Sequence, residues 1–186
     1  MGIVYLAFSQ NEQMLASASM DGQVRIWEVV SGTPRDILIV HPDGAAHDLV
    51  FTESDRYLIS ASRREVIVTD VGNGEIVARQ RIQANHPQIA VAAATSDVFI
   101  ADDLDGVTVW NWRTGKSERI VESAFRIREV AVTDDGSTLV TASDKRELTV
   151  WDVASRAPLP QTTRAAGQID GMWVTDEGAG LLVQAG

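Results

Sequence analysis

The sequence predicts an all-β chain made of one four-stranded antiparallel unit repeated along its length. Three observations predict it. A six-residue apolar–polar pattern recurs at a near-constant interval, the stretches between copies are short apolar runs broken by turn residues, and no segment carries an apolar stripe of helical period.

The recurring pattern reads Val24-Arg25-Ile26-Trp27-Glu28-Val29, Val66-Ile67-Val68-Thr69-Asp70-Val71, Val107-Thr108-Val109-Trp110-Asn111-Trp112 and Leu148-Thr149-Val150-Trp151-Asp152-Val153. Its fourth position is Trp27, Thr69, Trp110 and Trp151, at spacings of 42, 41 and 41 residues. Apolar residues at the first, third and sixth positions and a polar fifth suit a short strand ending at a polar rim. Gly32, Gly74 and Gly115 follow at a constant distance and suit the positive φ of a tight turn. The fourth copy has Arg156 there, which suggests a different turn.

Upstream of each copy lies a weaker strand: residues 14–19, 57–62, 97–101 and 138–143. Before it comes another, such as Val4 to Phe8 or Glu129 to Val132, closed by turn formers such as Thr133-Asp134-Asp135-Gly136. A further strand follows each glycine turn, as in Glu75 to Arg81 or Lys116 to Val121.

Four strands in a period of about 40 to 45 residues is the signature of a β-propeller blade. The stretch Leu15-Ala16-Ser17-Ala18-Ser19-Met20-Asp21-Gly22-Gln23-Val24-Arg25-Ile26-Trp27, and Leu139-Val140-Thr141-Ala142-Ser143 running on to Trp151-Asp152, closely resemble the WD40 repeat. Copies two and three are degenerate: Thr69 replaces the tryptophan, and the turns at Arg63-Arg64 and Leu104-Asp105-Gly106 are one residue shorter. The resemblance implies an all-β, WD40-type propeller segment over residues 1–186, with blades at about 1–40, 41–83, 84–123 and 124–165 and a partial fifth at 166–186. One period past Trp151 lies beyond Gly186, so only inner strands of the fifth blade are expected, as part of a larger propeller of the seven blades common in the family.

The resemblance also implies a hydrogen-bonded chain in each blade, linking a tryptophan, a Ser or Thr of the second strand, an Asp of the next turn and a His before the first strand. On this chain's residues it assigns Ser17, Ser19, Asp21 and Trp27 to blade one. Blade two keeps His41 and Ser60 or Ser62 but has Arg64 where the Asp belongs; blade three offers His86, Asp105 and Trp110; blade four offers Ser143, Asp144 and Trp151 without a histidine. Blade two is therefore expected to rely on apolar packing, and Trp27, Trp110 and Trp151 to be buried.

Composition narrows the function classes. A 45% apolar content supports a packed core, and no apolar run reaches the length of a membrane span. The start Met1-Gly2-Ile3-Val4-Tyr5-Leu6 lacks a secretory or myristoylation signal, making the cytoplasm the default expectation. Cysteine is absent, which excludes disulfides and thiolate metal sites. A net charge of −10 opposes general nucleic-acid binding.

Motifs for chemistry are weak. Asp102-Asp103-Leu104-Asp105-Gly106 aligns with a calcium loop only if Ala101 and Trp112 fill ligand positions. Gly72-Asn73-Gly74 lacks the third glycine of a dinucleotide fingerprint, since Val77 stands there. His41, His47 and His86 lack metal-ligand spacing, and the pair His47-Asp48 is the one candidate for acid–base work. No cofactor and no metal are expected.

The resemblance implies a non-catalytic platform that binds a protein or peptide through one loop face. The residues it puts there are Met20, Arg63, Arg64, Asp102, Asp103, Arg126, Arg128, Lys145 and Arg146. The alternative is a propeller that binds a small ligand or works as an enzyme at its central channel. Unpaired edges make self-association, or continuation in a longer chain, a further expectation.

Overall fold

The computed structural model describes residues 2–52, 54–92, 94–102, 106–160, 163–165, 167, 169–174 and 181–185, and the expected site residues Asp103 and Asp105 lie outside them. The described residues form nineteen β-strands and no helix. The chain divides into two compact units, Met1–Pro87 and Gln88–Gly186.

The first unit holds two four-stranded sheets. Strands β1 (Ile3–Phe8), β2 (Met14–Ser19), β3 (Gln23–Glu28) and β4 (Pro34–Val40) form one, and β5 (Asp48–Thr52), β6 (Tyr57–Ala61), β7 (Glu65–Asp70) and β8 (Ile76–Arg81) the other. In both, sequence neighbours pair antiparallel, so each sheet is an up-and-down meander. Period-two alternation gives each sheet two unlike faces. The register places Ala16 beside Ile26 and Ala18 beside Val24, making a face of small and branched residues. That face packs against Leu49, Phe51, Leu58 and Ile67 of the second sheet in one core.

The second unit repeats the arrangement. Strands β9 (Gln88–Val91), β10 (Asp97–Asp102), β11 (Gly106–Asn111) and β12 (Ser117–Glu122) make a third sheet. Strands β13 (Ile127–Val132), β14 (Thr138–Ser143) and β15 (Glu147–Asp152) make the body of a fourth. Ala90, Phe99, Ala101 and Val107 of the third sheet meet Val130, Val132 and Leu139 of the fourth. The opposite face of the fourth, with Ala131, Val140, Ala142 and Leu148, meets Ile169 and Met172. These two belong to β18 (Ile169–Val174), which pairs antiparallel with β19 (Leu181–Ala185) in a two-stranded sheet.

The outer strand of the fourth sheet is broken. Two short pieces, β16 (Ala157–Pro158) and β17 (Thr163–Arg164), both pair with β15. Pro158 and Pro160 lack the amide hydrogens a continuous ladder needs.

Two features of the turns depart from the sequence-based expectation. Arg156 adopts φ +58°, the same left-handed turn that Gly32, Gly74 and Gly115 make at +66°, +75° and +73°, so the turn is kept without its glycine. The polar fifth position of the repeat supplies the cap: Asp70 Oδ1, Asn111 Oδ1 and Asp152 Oδ1 accept the backbone N–H of Gly72, Thr114 and Ser155 at 2.8, 3.0 and 2.7 Å. In the first unit the two sheets are also stapled through polar groups. Asp55, buried and at φ +68°, accepts the N–H of Gln10 and of Asn11 at 2.6 and 3.0 Å. In the second unit the carbonyl of Asp134 does a similar task for the N–H of Ala94 at 2.8 Å.

This difference is testable. Asp55→Ala leaves two backbone donors without acceptors and should lower stability by about 2 kcal/mol or more in urea unfolding. Asp134→Ala, which keeps its carbonyl, should stay within about 0.5 kcal/mol of the parent.

Candidate functional site

In the second and fourth repeats the tryptophan position points at the preceding sheet of the same unit. Trp151 lies with Val130, Val132 and Leu139 on the face that meets the third sheet. Thr69 shares a register row with Leu58 and Phe51 on the face that meets the first. Of the three tryptophans expected to be buried, Trp110 alone is, at 2% exposure, whereas Trp27 and Trp151 are partly exposed. The face carrying Leu15 and Trp27 is not the one that packs on the second sheet, and its neighbour Phe8 is 62% exposed.

The polar network is present in altered form. Trp27 Nε1 donates to Ser17 Oγ at 2.8 Å, and Trp151 Nε1 donates to Thr141 Oγ1 at 2.9 Å, which puts Thr141 and not Ser143 in that role. In blade one, Ser19 Oγ donates to Asp21 Oδ1, which also accepts the N–H of Gln23. Those bonds, the serine's first, hold the Asp21 carboxyl below the usual carboxylate range. Blade four keeps the same four-residue turn with a different residue at its third place. Arg146 N–H bonds Ser143 O at 2.9 Å, as Gly22 N–H bonds Ser19 O at 3.1 Å. Lys145 therefore occupies the place of Asp21, and Asp144, exposed, that of Met20. Arg146 takes the left-handed conformation of Gly22, at φ +65° against +84°.

Blade two is held by more than apolar packing, contrary to expectation. His41, 1% exposed, places Nε2 at 2.8 Å from Ser60 Oγ and Nδ1 at 3.5 Å from Glu65 Oε1. Glu65, one residue beyond Arg64, faces the ring where the missing turn aspartate would stand, but as an ion-pair approach only: among the described residues His41 Nδ1 and Glu65 Oε1 are buried without a hydrogen-bond partner. Arg79 Nη1 binds its other oxygen at 2.8 Å. Burial, above all, pushes the His41 pKa down, while Glu65 and Asp43 oppose that shift. Where the tryptophan would stand, the Thr69 hydroxyl is buried without a hydrogen-bond partner among the described residues. His41, Asp43 and Glu65 put one ligand atom each within 4.8 Å of one another. Their contacts to Ser60, Ser62, Arg64 and Arg79 are those of a structural network. His86 is exposed, and its ring meets His47 edge-on with centroids 5.0 Å apart, so it is no buried linchpin. Burial, then the charges of His86 and Arg63, lowers the His47 pKa.

The expected partner-binding residues fall into two groups. Arg63 and Arg64 are exposed on the β6–β7 turn, and Lys145 and Arg146 are exposed on the β14–β15 turn. The backbone beneath them is anchored. Ala84 and Ile82 donate to the carbonyls of Arg63 and Arg64, and Ala165 donates to that of Arg146, at 2.9, 2.8 and 2.9 Å. The others are not loop residues of that kind. Asp102 ends strand β10 half-buried, with Oδ2 3.1 Å from Arg119 Nη2. Arg126 is half-buried and gives its carbonyl to Asp144 N–H. Arg128 is exposed within β13, at a bulge between Ile127 and Glu129. Asp48 is buried, its Oδ1 accepting the N–H of Leu49.

Comparison with known proteins agrees with the geometry. Residues 2–28 match the family model described as "WD domain, G-beta repeat". The chain is 28% identical over 170 residues to Striatin-4 of Homo sapiens, covering 85% of this chain and 22% of that protein. It is 22% identical over 158 residues to WD repeat-containing protein SL1-17 of Schistosoma mansoni, covering 82% and 51%. The crystal structure of the Myceliophteria thermophila Cps50 (Swd1) β-propeller domain superposes with a TM-score of 0.86 at 21% identity, covering 98% of this chain and 62% of that one. Residues 2–28 carry a WD repeat, the chain is similar in sequence to WD-repeat proteins, and it has the fold of a WD40 β-propeller. It spans about a fifth of the length of Striatin-4 (22%). Among the described residues no helix is long and apolar enough to cross a membrane.

Two outcomes follow from the burial pattern. Trp110→Ala should cost about 3 to 5 kcal/mol in urea unfolding, and Trp27→Ala less, since part of its surface is already wet. His41 has a folded-state pKa below its unfolded one, so the unfolded chain binds a proton first. Stability should therefore be full above about pH 6.5 and fall as the pH is lowered from there. His41→Gln should flatten that slope, His47 retaining a share; an unchanged slope would remove His41 from the account.

Proposed function

We propose that the chain is a non-catalytic protein-interaction module that binds a protein or peptide through the turns joining the second and third strands of its blades. WD-repeat propellers commonly mediate protein interactions, and this chain shares their repeat and fold. The observation that carries the reading is the build of the Arg63-Arg64 and Lys145-Arg146 turns. Their side chains are exposed while their backbones are tied to the connections that follow β8 and β17. A cationic side chain on a fixed backbone loses less entropy when it meets a partner, and arginine is enriched where interfaces concentrate their energy. The acid–base pair considered in the sequence supports the enzyme reading poorly, because His47 leans on His86 and the Asp48 carboxylate is turned to its own strand.

Affinity capture from the source lysate, then calorimetry with the captured protein, tests this. Reversing Arg63 and Arg64 to Glu should weaken binding by about 2 kcal/mol or more, the scale of an interface hot spot. Lys116→Glu, at the other strand ends of its own blade, should change nothing. Equal affinities for all three proteins would exclude these turns from the interface.

A further inference from the structure

Between the β4–β5 connection and the β6–β7 turn, the first unit carries a cleft of about 1030 Å³ lined by Arg63, Arg64 and Arg81 with Asp43, Glu65 and Ile82. Its charges are sorted by how they are held. The carboxylates are engaged by the frame: Asp43 Oδ1 accepts Ser62 Oγ at 2.9 Å, and its Oδ2 accepts Arg64 N–H at 3.0 Å. Glu65 is held by Arg79 and faces His41. Among the described residues, none of the three guanidinium groups makes an ion pair. All three are exposed.

The supports of these arginines are rigid. Arg81 ends β8 directly opposite Glu65 in the ladder, and the carbonyls of Arg63 and Arg64 are tied to Ala84 and Ile82. Three guanidinium forks on anchored backbones around one concavity match the planar, several-acceptor geometry of an oxyanion better than lysine ammonium groups would. The chain as a whole carries −10, so a long polyanion would be repelled by the rest of the surface. A short acidic segment can meet the cleft alone.

We propose that this cleft binds an acidic peptide segment of a partner protein, its carboxylate or phosphate oxygens held by Arg63, Arg64 and Arg81. The proposal rests on the interaction-module reading and gives it a ligand chemistry.

The test uses the full chain and fluorescence anisotropy. The probes are a labelled decapeptide alternating Glu and Ser, its phosphoserine form, the same peptide with Gln for Glu, and a single-stranded 20-nucleotide RNA. Both acidic peptides should bind and the Gln peptide should not, and the tighter of the two identifies carboxylate or phosphate as the natural group. Arg81→Gln and Arg64→Gln should each weaken acidic-peptide binding by at least about tenfold, as for loss of one charge-assisted contact. Arg81→Lys should fall between, and all three variants should keep the parent's thermal melt. Unchanged peptide affinity in Arg81→Gln, no binding of either acidic peptide, or RNA binding as tight as theirs overturns the proposal. If the lysate partner is still captured while the acidic peptides fail, the cleft assignment is wrong and the module reading stands. If charge reversal at Arg63 and Arg64 also leaves the partner's affinity unchanged, both fall.

Discussion

Each sheet has two faces, and the packing of one sheet's face on the next sheet of its own unit is the contact on which the rest depends. Ala16, Ala18 and Val24 can come close to a neighbour because they are short or branched at Cβ. Leu49, Phe51, Leu58 and Ile67 fill the space that closeness leaves. A similar division recurs where Ala131, Val140 and Ala142 receive Ile169 and Met172, whereas the third sheet sets Phe99 among Ala90, Ala101 and Val107 against Val130, Val132 and Leu139. Stacked sheets sit about 10 Å apart, so two bulky faces would hold them off and two small faces would leave voids. The repeat's period is the one-dimensional record of that alternation.

Once the faces are fixed, the polar parts become adjustable. A hydroxyl on the second strand lies on the bulky face, where the tryptophan indole can reach it: Ser17 serves Trp27 and Thr141 serves Trp151. In blade two the indole is absent, and Ser60 meets His41 instead. The turn residues vary in the same way. A left-handed position is filled by Gly22 in one blade and by Arg146 in another, at the cost of strain that the surrounding ladder overrides.

Much of this was legible in the sequence. Four of the strands carrying the repeat lie within one residue of where the pattern puts them, because alternation and turn residues act locally. What was not legible depended on neighbours. Period two shows that Trp27 and Leu15 share a face, but not whether another sheet covers it, so the burial of Trp27 and Trp151 was overestimated. Asp144 looked like the turn aspartate because it follows Ser143, yet only the Ser143–Arg146 hydrogen bond shows that Lys145 holds that place. The role of Glu65 left a faint signal, an acid one residue past the vacant position. Asp55 left none, since its two acceptor bonds reach a turn 44 and 45 residues earlier.

Blade two, the most degenerate copy, is also where the cleft lies, and the two facts share a cause. With the turn one residue shorter, no turn residue can serve as the acid that faces His41, and the next residue along, Glu65, takes the task from the strand itself. The turn is thereby left as Arg63-Arg64 alone. Its conformation is set from outside by Asp43, whose carboxylate caps Arg64 N–H and Ser62 Oγ together. An aspartate bonded to a backbone N–H and a hydroxyl is held in the frame, and among the described residues none of the three neighbouring guanidinium groups pairs with it. Losing the consensus acid from the turn thus removes negative charge from the rim and fixes the remaining negative charge in the frame. What remains outward is cationic, on an otherwise acidic chain.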